Sequence, residues 1–145
     1  MGTRARQALL GGRKAIRCYF IKFVLCCLKH GYMKRSMATT PIDLYRQGNA
    51  NSPRMDNVRS KDIATYELDG EVWVNSGLGG GVSTFAVPRG GKNWWKLERG
   101  TEIPSALTPI NDYDNHWLWT PSYTMPMEEY KAALREVGAS FQKIN

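Results

Sequence analysis

The chain has 145 residues, of which 42% are hydrophobic and 23% are charged, proportions that exclude fibrous and wholly disordered proteins. Its net charge of +7 is uneven: residues 1–42 hold nine basic and no acidic residues, whereas residues 43–145 hold eleven basic and thirteen acidic ones. Since phosphate contacts need basic residues clustered on a folded surface, the body of the chain gives no strong nucleic-acid-binding signal.

Residues 1–40 are predicted to be a basic leader, either a targeting segment or a disordered tail. The apolar run at residues 15–28 contains two basic residues and is shorter than the roughly 20 residues that span a bilayer, so no transmembrane segment is predicted. An arginine-rich, acid-free N-terminus is typical of mitochondrial targeting, and palmitoylation of Cys26 or Cys27 would attach residues 1–36 to a membrane. The alternative is that translation starts at Met37.

The body, residues 41–145, is predicted to be mostly sheet. The β-rich runs at 63–68 and 71–74 flank Asp69-Gly70, a pair typical of a hairpin turn. Residues 103–109 contain two prolines and are predicted to be an irregular connection. Three further runs have the composition of strands: 82–87, 94–97 and 116–120.

A terminal helix is predicted from an apolar stripe that recurs at steps of three and four residues. Its members are Met127, Tyr130, Leu134, Val137 and Phe141, and Pro126 lies in the first turn. Strands followed by one helix, without internal repeats, predict a compact α+β domain with a mostly antiparallel sheet.

Few residues of the body could perform metal or hydrolytic chemistry. It contains no cysteine and one histidine, His116, so no metal site is predicted and a reducing cytosol would suit the protein. Ser83, His116 and Asp112 or Asp114 are formally a hydrolytic triad, but the GxSxG elbow is missing.

A glycine-rich run at residues 77–81 precedes the predicted strand that carries Ser83 and Thr84. It fits neither the dinucleotide fingerprint nor the P-loop pattern. Because glycine has no Cβ, the run would let a ligand approach the backbone closely, and a plain hairpin loop is the alternative.

Five blocks of the body share an order with a known toxin family: 44–46, 58–63, 80–85, 100–107 and 116–127. Together they resemble the type VI secretion effector toxins of the "exported effector two" family, which also has fungal relatives. The resemblance covers most of the body. It implies the compact fold of the NAD-using ADP-ribosyltransferases and the action of an intracellular, growth-arresting toxin.

The resemblance also implies site residues. Arg46 resembles the first-strand arginine that contacts NAD, Ser83 and Thr84 resemble the Ser-Thr motif that frames the nicotinamide ribose, and His116 resembles the late-strand histidine. Catalytic roles are therefore predicted for Ser83 and His116, and NAD contacts for Arg46, Ser83 and Thr84. An arginine can offer two parallel N–H donors to a pyrophosphate.

No catalytic carboxylate is identified. Cleavage of the nicotinamide–ribose bond develops oxocarbenium character, which enzymes usually stabilise with a carboxylate. The chain lacks a Glu-X-Glu signature, and the candidates Glu102, Glu128 and Glu129 have the positions of solvated loop or first-turn residues.

The resemblance therefore implies an intracellular, cytoplasmic NAD-dependent ADP-ribosyltransferase of the glycosyltransferase class, or an NAD glycohydrolase. NAD is its predicted substrate, and its partners are an unidentified macromolecular acceptor and an immunity protein. The alternative is a non-catalytic module that kept the fold and binds a nucleotide, a sugar or a protein.

Overall fold

A computed structural model describes residues 37–77 and 79–144. The predictions about targeting, palmitoylation and a disordered tail concern residues 1–36 and lie outside this part of the chain. The elements within it are β1 (Leu44–Gln47), β2 (Thr65–Leu68), β3 (Glu71–Val74), β4 (Val82–Phe85), β5 (Trp94–Leu97), β6 (Leu107–Tyr113), β7 (His116–Pro121), β8 (Met125–Pro126), α1 (Met127–Gly138) and β9 (Gln142–Lys143).

The strands form two antiparallel sheets. One has six strands in the order β6-β7-β4-β1-β5-β9, and the other has three in the order β2-β3-β8. The predicted α+β class, with a mostly antiparallel sheet and a C-terminal helix, is confirmed. No helix in the described residues has the length and apolar character needed to cross a bilayer.

The hairpin between β2 and β3 turns at Asp69 and Gly70, whose φ angles are 51° and 77°. Two consecutive positive φ angles are what a two-residue hairpin turn requires, and Asp-Gly adopts them at little cost. The prediction of an irregular connection over residues 103–109 is wrong at its end, because β6 begins at Leu107 and includes Pro109. The missing N–H of Pro109 is tolerated because β6 is an outer strand that pairs with β7 alone.

The core lies between the sheets and α1. Tyr130, Leu134 and Val137 of the predicted apolar stripe are fully or almost fully buried, and Phe141 is buried just after the helix ends. The Tyr130 hydroxyl donates a hydrogen bond to the carbonyl of Trp119 at 2.5 Å, so the helix is joined to β7 by a polar contact inside an apolar interface.

The outer strands of the two sheets differ in how open their edges are. β6 carries Pro109 and a register shift, β8 ends in Pro126, and β9 has two residues, one of them Lys143. These features hinder pairing with another strand. β2 contains neither proline nor lysine, and its Tyr66 and Leu68 side chains are exposed.

Candidate functional site

Arg46 lies where two neighbouring strands stop pairing. β1 pairs with β5 at four positions, but its ladder with β4 consists of the single pair Tyr45 and Phe85. One residue beyond that pair, Nη1 of Arg46 donates a hydrogen bond to the carbonyl of Ser83 at 2.6 Å. The arginine side chain therefore replaces a backbone contact between β1 and β4.

Two further carbonyls hold the same guanidinium. Nε of Arg46 lies 3.4 Å from the carbonyl oxygen of Pro53, and Nη2 lies 3.3 Å from that of Arg54. Among the described residues, no carboxylate lies within ion-pair distance of it. Because a guanidinium has five N–H donors, two remain for a ligand.

The positive charge of Arg46 is only partly balanced by its surroundings. Burial lowers the pKa of Arg46, the Asp62 carboxylate raises it, and the Arg59 and Arg54 cations lower it again. Burial disfavours the charged form because it removes water, and neutral carbonyls restore only part of that solvation. An anion bound beside Arg46 would also be attracted by the Arg54 and Arg59 cations.

Asp62 belongs to this cluster, although sequence reasoning assigned it no role. Its side chain is 10% exposed and accepts hydrogen bonds from Nη2 and Nε of Arg59 at 2.8 and 3.0 Å. Burial alone would raise the pKa of Asp62, but the hydrogen bonds from Arg59 outweigh it and the pKa is lowered. Two features of the sequence could have pointed to Asp62: it follows Arg59 by three residues, and both lie in a block that resembles the family.

The glycines before β4 pack against the chain's own backbone. A Cβ on Gly80 would lie 2.6 Å from the carbonyl oxygen of Asp62, and one on Gly81 would collide with the carbonyl of Trp119. The N–H of Gly81 also donates to the Asp62 carbonyl at 2.7 Å. These two glycines are therefore needed to bring the Asp62 loop against β4 and β7.

Ser83 and Thr84 face opposite sides of the six-stranded sheet, as adjacent strand residues must. Thr84 is fully buried, and its hydroxyl accepts the indole N–H of Trp119 at 3.1 Å. Ser83 is half-buried and lies opposite Leu118 of β7. Of the two hydroxyls, only that of Ser83 lies on the side away from the core.

His116 shares the outer face of the sheet with Ser83. It lies opposite Phe85, so Ser83 and His116 are diagonal neighbours, a relation that separates side chains by roughly 7–8 Å. Nδ1 of His116 lies 2.6 Å from Oδ1 of Asp112, and its ring stacks on Tyr113 with centroids 4.7 Å apart. A carboxylate at Nδ1 favours a proton on that nitrogen and orients the ring.

The predicted site residues thus come together only in part. Alternation along β1 places Arg46 on the same side as the fully buried Leu44, whereas Ser83 and His116 lie on the other side. Arg46 contacts Ser83 through its backbone carbonyl. Of the formal hydrolytic triad, the His116–Asp112 contact is present, but within the described part of the chain no hydrogen bond joins Ser83 to His116.

The three candidate glutamates lie away from this region. Glu102 forms an isolated bridge with Thr39. Glu128 is 75% exposed on the first turn of α1, and Glu129 accepts a hydrogen bond from Tyr123 at 2.9 Å. None of the three contacts the first-strand arginine. Among the described residues, no group of three or more His, Cys, Asp or Glu side chains could hold a metal ion.

A cavity of about 450 Å³ lies between the loop that follows β1 and the end of α1. Pro53 and Trp95 are part of its lining. Both also adjoin Arg46, Pro53 through its carbonyl and Trp95 as the cross-strand partner on β5. Two lining residues therefore neighbour Arg46, but Arg46, Arg54, Arg59 and Asp62 are not part of the lining.

The family model described as Tse2 ADP-ribosyltransferase toxin matches residues 38–143, which include the arginine cluster, the glycine run, both sheets and the helix. No curated protein and no solved structure matches the chain. A family match over this length covers most of the chain, which therefore belongs to the Tse2 ADP-ribosyltransferase toxin family.

Proposed function

We propose that this toxin domain consumes NAD inside cells and transfers ADP-ribose to a macromolecular acceptor or to water. Family membership supports the reaction class. The observation that carries the proposal is the Arg46 guanidinium in the gap between β1 and β4, with three neutral carbonyls as its acceptors. A desolvated cation with N–H donors to spare is suited to an anionic ligand.

The pyrophosphate of NAD fits the charge of this cluster. Arg46, Arg54 and Arg59 bring three positive charges, and Asp62 is the one carboxylate among them. The resulting excess of two positive charges would balance the two negative charges of a pyrophosphate diester. Arg46 supplies directed donors, and Asp62 keeps Arg59 in place through two side-chain hydrogen bonds.

Ser83 and His116 keep the catalytic roles implied by the family resemblance. When the C–N bond between ribose and nicotinamide breaks, its electron pair leaves with neutral nicotinamide, and the anomeric carbon gains oxocarbenium character. The acceptor or a water molecule then forms the new bond to that carbon and releases a proton. His116 takes this proton at Nε2, since Asp112 holds Nδ1.

The two hydroxyls of β4 have different tasks in this proposal. Ser83 offers its hydroxyl to the ribose or the nicotinamide amide from the outer face. Thr84 acts on NAD indirectly, because its buried hydroxyl is bonded to Trp119 and fixes β4 against β7. The contact to NAD predicted for Thr84 is accordingly proposed as positioning of the strand.

The proposal is tested by incubating the purified chain with NAD and measuring free nicotinamide, with and without cell lysate. Release that needs lysate identifies a transferase with a macromolecular acceptor, and release without lysate identifies a glycohydrolase. NAD binding without release would favour the second candidate function, a non-catalytic binding module, for which the missing Glu-X-Glu signature is the supporting observation.

Expression in cells tests where the toxin acts. Because NAD is an intracellular substrate, cytosolic expression should arrest growth, whereas the same chain directed to export should not. Nicotinamide levels in the two cultures provide the biochemical readout. Equal toxicity from both would contradict action inside the cell and the role of an intracellular acceptor and immunity partner.

A further inference from the structure

The outer edge of β2 carries backbone groups that none of the described strands uses. Leu68 lies opposite Glu71 across the two-residue turn, and residues that flank such a turn are bonded to each other through their backbones. Bonded and non-bonded pairs alternate along an antiparallel ladder, so the N–H and carbonyl groups of Thr65 and Glu67 point away from β3. Because β2 pairs with β3 alone, these groups have no backbone partner among the described residues.

The side chains of β2 differ between its two sides. Tyr66 and Leu68 lie on the side of Trp73 and are 38% and 49% exposed. The Tyr66 ring stacks on the Trp73 ring with centroids 6.4 Å apart, which fixes an apolar surface beside the edge. Glu67 is exposed on the opposite side. A strand added to this edge would therefore meet apolar side chains on one side and a carboxylate on the other.

The charge of the β2–β3 hairpin favours a basic partner. Residues 63–88 contain three acidic residues, Glu67, Asp69 and Glu71, and no basic one. Among the described residues, none of the three carboxylates forms an ion pair. Opposite charges on paired strands are stabilising and like charges are destabilising. The hairpin of a second copy would bring the same negative charges together, whereas a basic segment would neutralise them.

We propose that the edge of β2 binds an extended segment of a partner protein in which basic residues alternate with apolar ones. Backbone hydrogen bonds to Thr65 and Glu67 extend the three-stranded sheet by one strand. The basic side chains of the partner face Glu67, and its apolar side chains pack beside Tyr66 and Leu68. The other outer strands, β6, β8 and β9, contain proline or lysine, which hinders such pairing. This interaction goes beyond the proposed use of NAD and does not depend on it.

The test uses the full chain and a fluorescent synthetic peptide in which lysine alternates with valine. A second peptide has the same sequence with methyl groups on its backbone nitrogens, so it keeps the charge but lacks the N–H groups that pair with a strand. Thr65→Pro removes one outward N–H from β2, at a strand position where proline is tolerated. Thr65→Val keeps that N–H and is the matched control.

Fluorescence anisotropy should show saturable binding of the lysine–valine peptide to the unsubstituted chain and to Thr65→Val. Thr65→Pro should weaken binding by about fivefold, which corresponds to about 1 kcal/mol, the usual contribution of one hydrogen bond. The N-methylated peptide should not bind. Glu67→Gln should weaken binding by about two- to fivefold at low salt and by less at high salt. Glu98→Gln, at an exposed acid outside the hairpin, should have no effect.

Three outcomes would overturn the proposal. Equal binding of the N-methylated peptide would show that the backbone edge is not used, and this comparison remains valid even if Thr65→Pro does not fold by circular dichroism. Equal binding to folded Thr65→Pro and Thr65→Val would show the same. No binding of the lysine–valine peptide would exclude the basic partner. If sedimentation also shows that Thr65→Pro dimerises less than Thr65→Val, the edge pairs with a second copy instead.

Discussion

The two faces of the six-stranded sheet give adjacent residues of β4 opposite environments. On the core side, Thr84 is fully buried and bonded to the Trp119 indole, and Arg46 lies desolvated among carbonyls. On the outer side, Ser83 shares a half-buried surface with His116, which is paired with Asp112. A Ser-Thr motif on a strand therefore combines one group that reaches the surface with one that holds the core.

Substitutions on the two faces should affect different properties of the protein. A polar group lost from the core side leaves a buried partner without its hydrogen bond, so stability should fall. A polar group lost from the outer side exposes its partner to water, so stability should change little and only ligand-dependent properties should respond. Substitutions on each face can test this division directly.

The largest effect is expected for Arg46→Ala, which should weaken NAD binding by about ten- to a hundredfold and also lower the free energy of unfolding, because three carbonyls lose their donor. The reason is the loss of charge-assisted hydrogen bonds worth roughly 1.5–3 kcal/mol. Arg46→Lys should restore little, because an ammonium cannot reproduce the planar guanidinium. Calorimetric titration measures the affinity, and Arg99→Ala is the control at an exposed arginine. Unchanged affinity in folded Arg46→Ala would remove Arg46 from the site.

The next effect is the stability difference between Thr84→Val and Ser83→Ala. Thr84→Val leaves the buried indole N–H of Trp119 without an acceptor, at a cost of roughly 1–3 kcal/mol. Ser83→Ala should change the free energy of unfolding by less than about 0.5 kcal/mol. Urea denaturation measures both, and Thr84→Ser keeps the hydroxyl as a control. Equal losses would mean that the two faces are not distinct.

Tyr130→Phe should cost about 0.5–1.5 kcal/mol at neutral pH, since one buried hydrogen bond to the Trp119 carbonyl is removed. Burial raises the pKa of Tyr130, so the folded state keeps the phenolic proton after the unfolded state has lost it. The contribution of the protonated Tyr130 hydroxyl to stability is complete below the unfolded pKa of about 10. It declines as the pH rises above that value.

Urea denaturation between neutral and strongly alkaline pH measures that decline in both proteins. The loss of stability with pH should be shallower in Tyr130→Phe, in which the group that titrates is absent. Parallel curves for the two proteins would show that the Tyr130 hydroxyl does not titrate differently in the folded and unfolded states.

On the outer face, His116→Ala should lower the free energy of unfolding by about 1 kcal/mol, the usual net contribution of one hydrogen bond, because the contact with Asp112 is lost. Nicotinamide release should fall, while NAD affinity stays close to that of the unsubstituted chain. Asp112→Asn should fold equally well and reduce release less, since it keeps the histidine. Full release by His116→Ala would end the proposed role of His116 as a base.

The smallest change is expected when the leader is removed. Both faces of the sheet are built from residues after Pro41, and we propose that residues 41–145 are an independently folding toxin domain. A chain that starts at Met37 should match the full chain in circular dichroism and in the urea midpoint. Insolubility or a lost transition in the shorter chain would show that the leader contributes to folding.

The elements that sequence reasoning recovered are those with strong local signals. The Asp69-Gly70 turn follows from the backbone preference of two residues, and α1 follows from an apolar stripe with helical spacing. β8 and β9 contain two residues each, too few to show a period. They form because they pair with strands that are distant in the sequence. A local sequence pattern does not contain this information.

The candidate site was recovered less completely than the fold. The family resemblance identified Arg46, Ser83 and His116 as residues of interest, but not the side of the sheet on which each lies. That side depends on the register of β1 with β5 and of β4 with β7. Asp62 was missed because its place beside Arg46 depends on Gly80 and Gly81, which admit its loop only through tertiary packing.

The open edge of β2 has a consequence for the protein at high concentration. Tyr66 and Leu68 are exposed beside a strand with unpaired backbone groups, a combination that favours joining of two copies edge to edge. Glu67, Asp69 and Glu71 give every copy the same negative charge along this hairpin. Salt screens charges that are separated by more than about 8–10 Å at physiological ionic strength. Concentrated stocks should therefore self-associate as salt is added and disperse again on dilution into low salt.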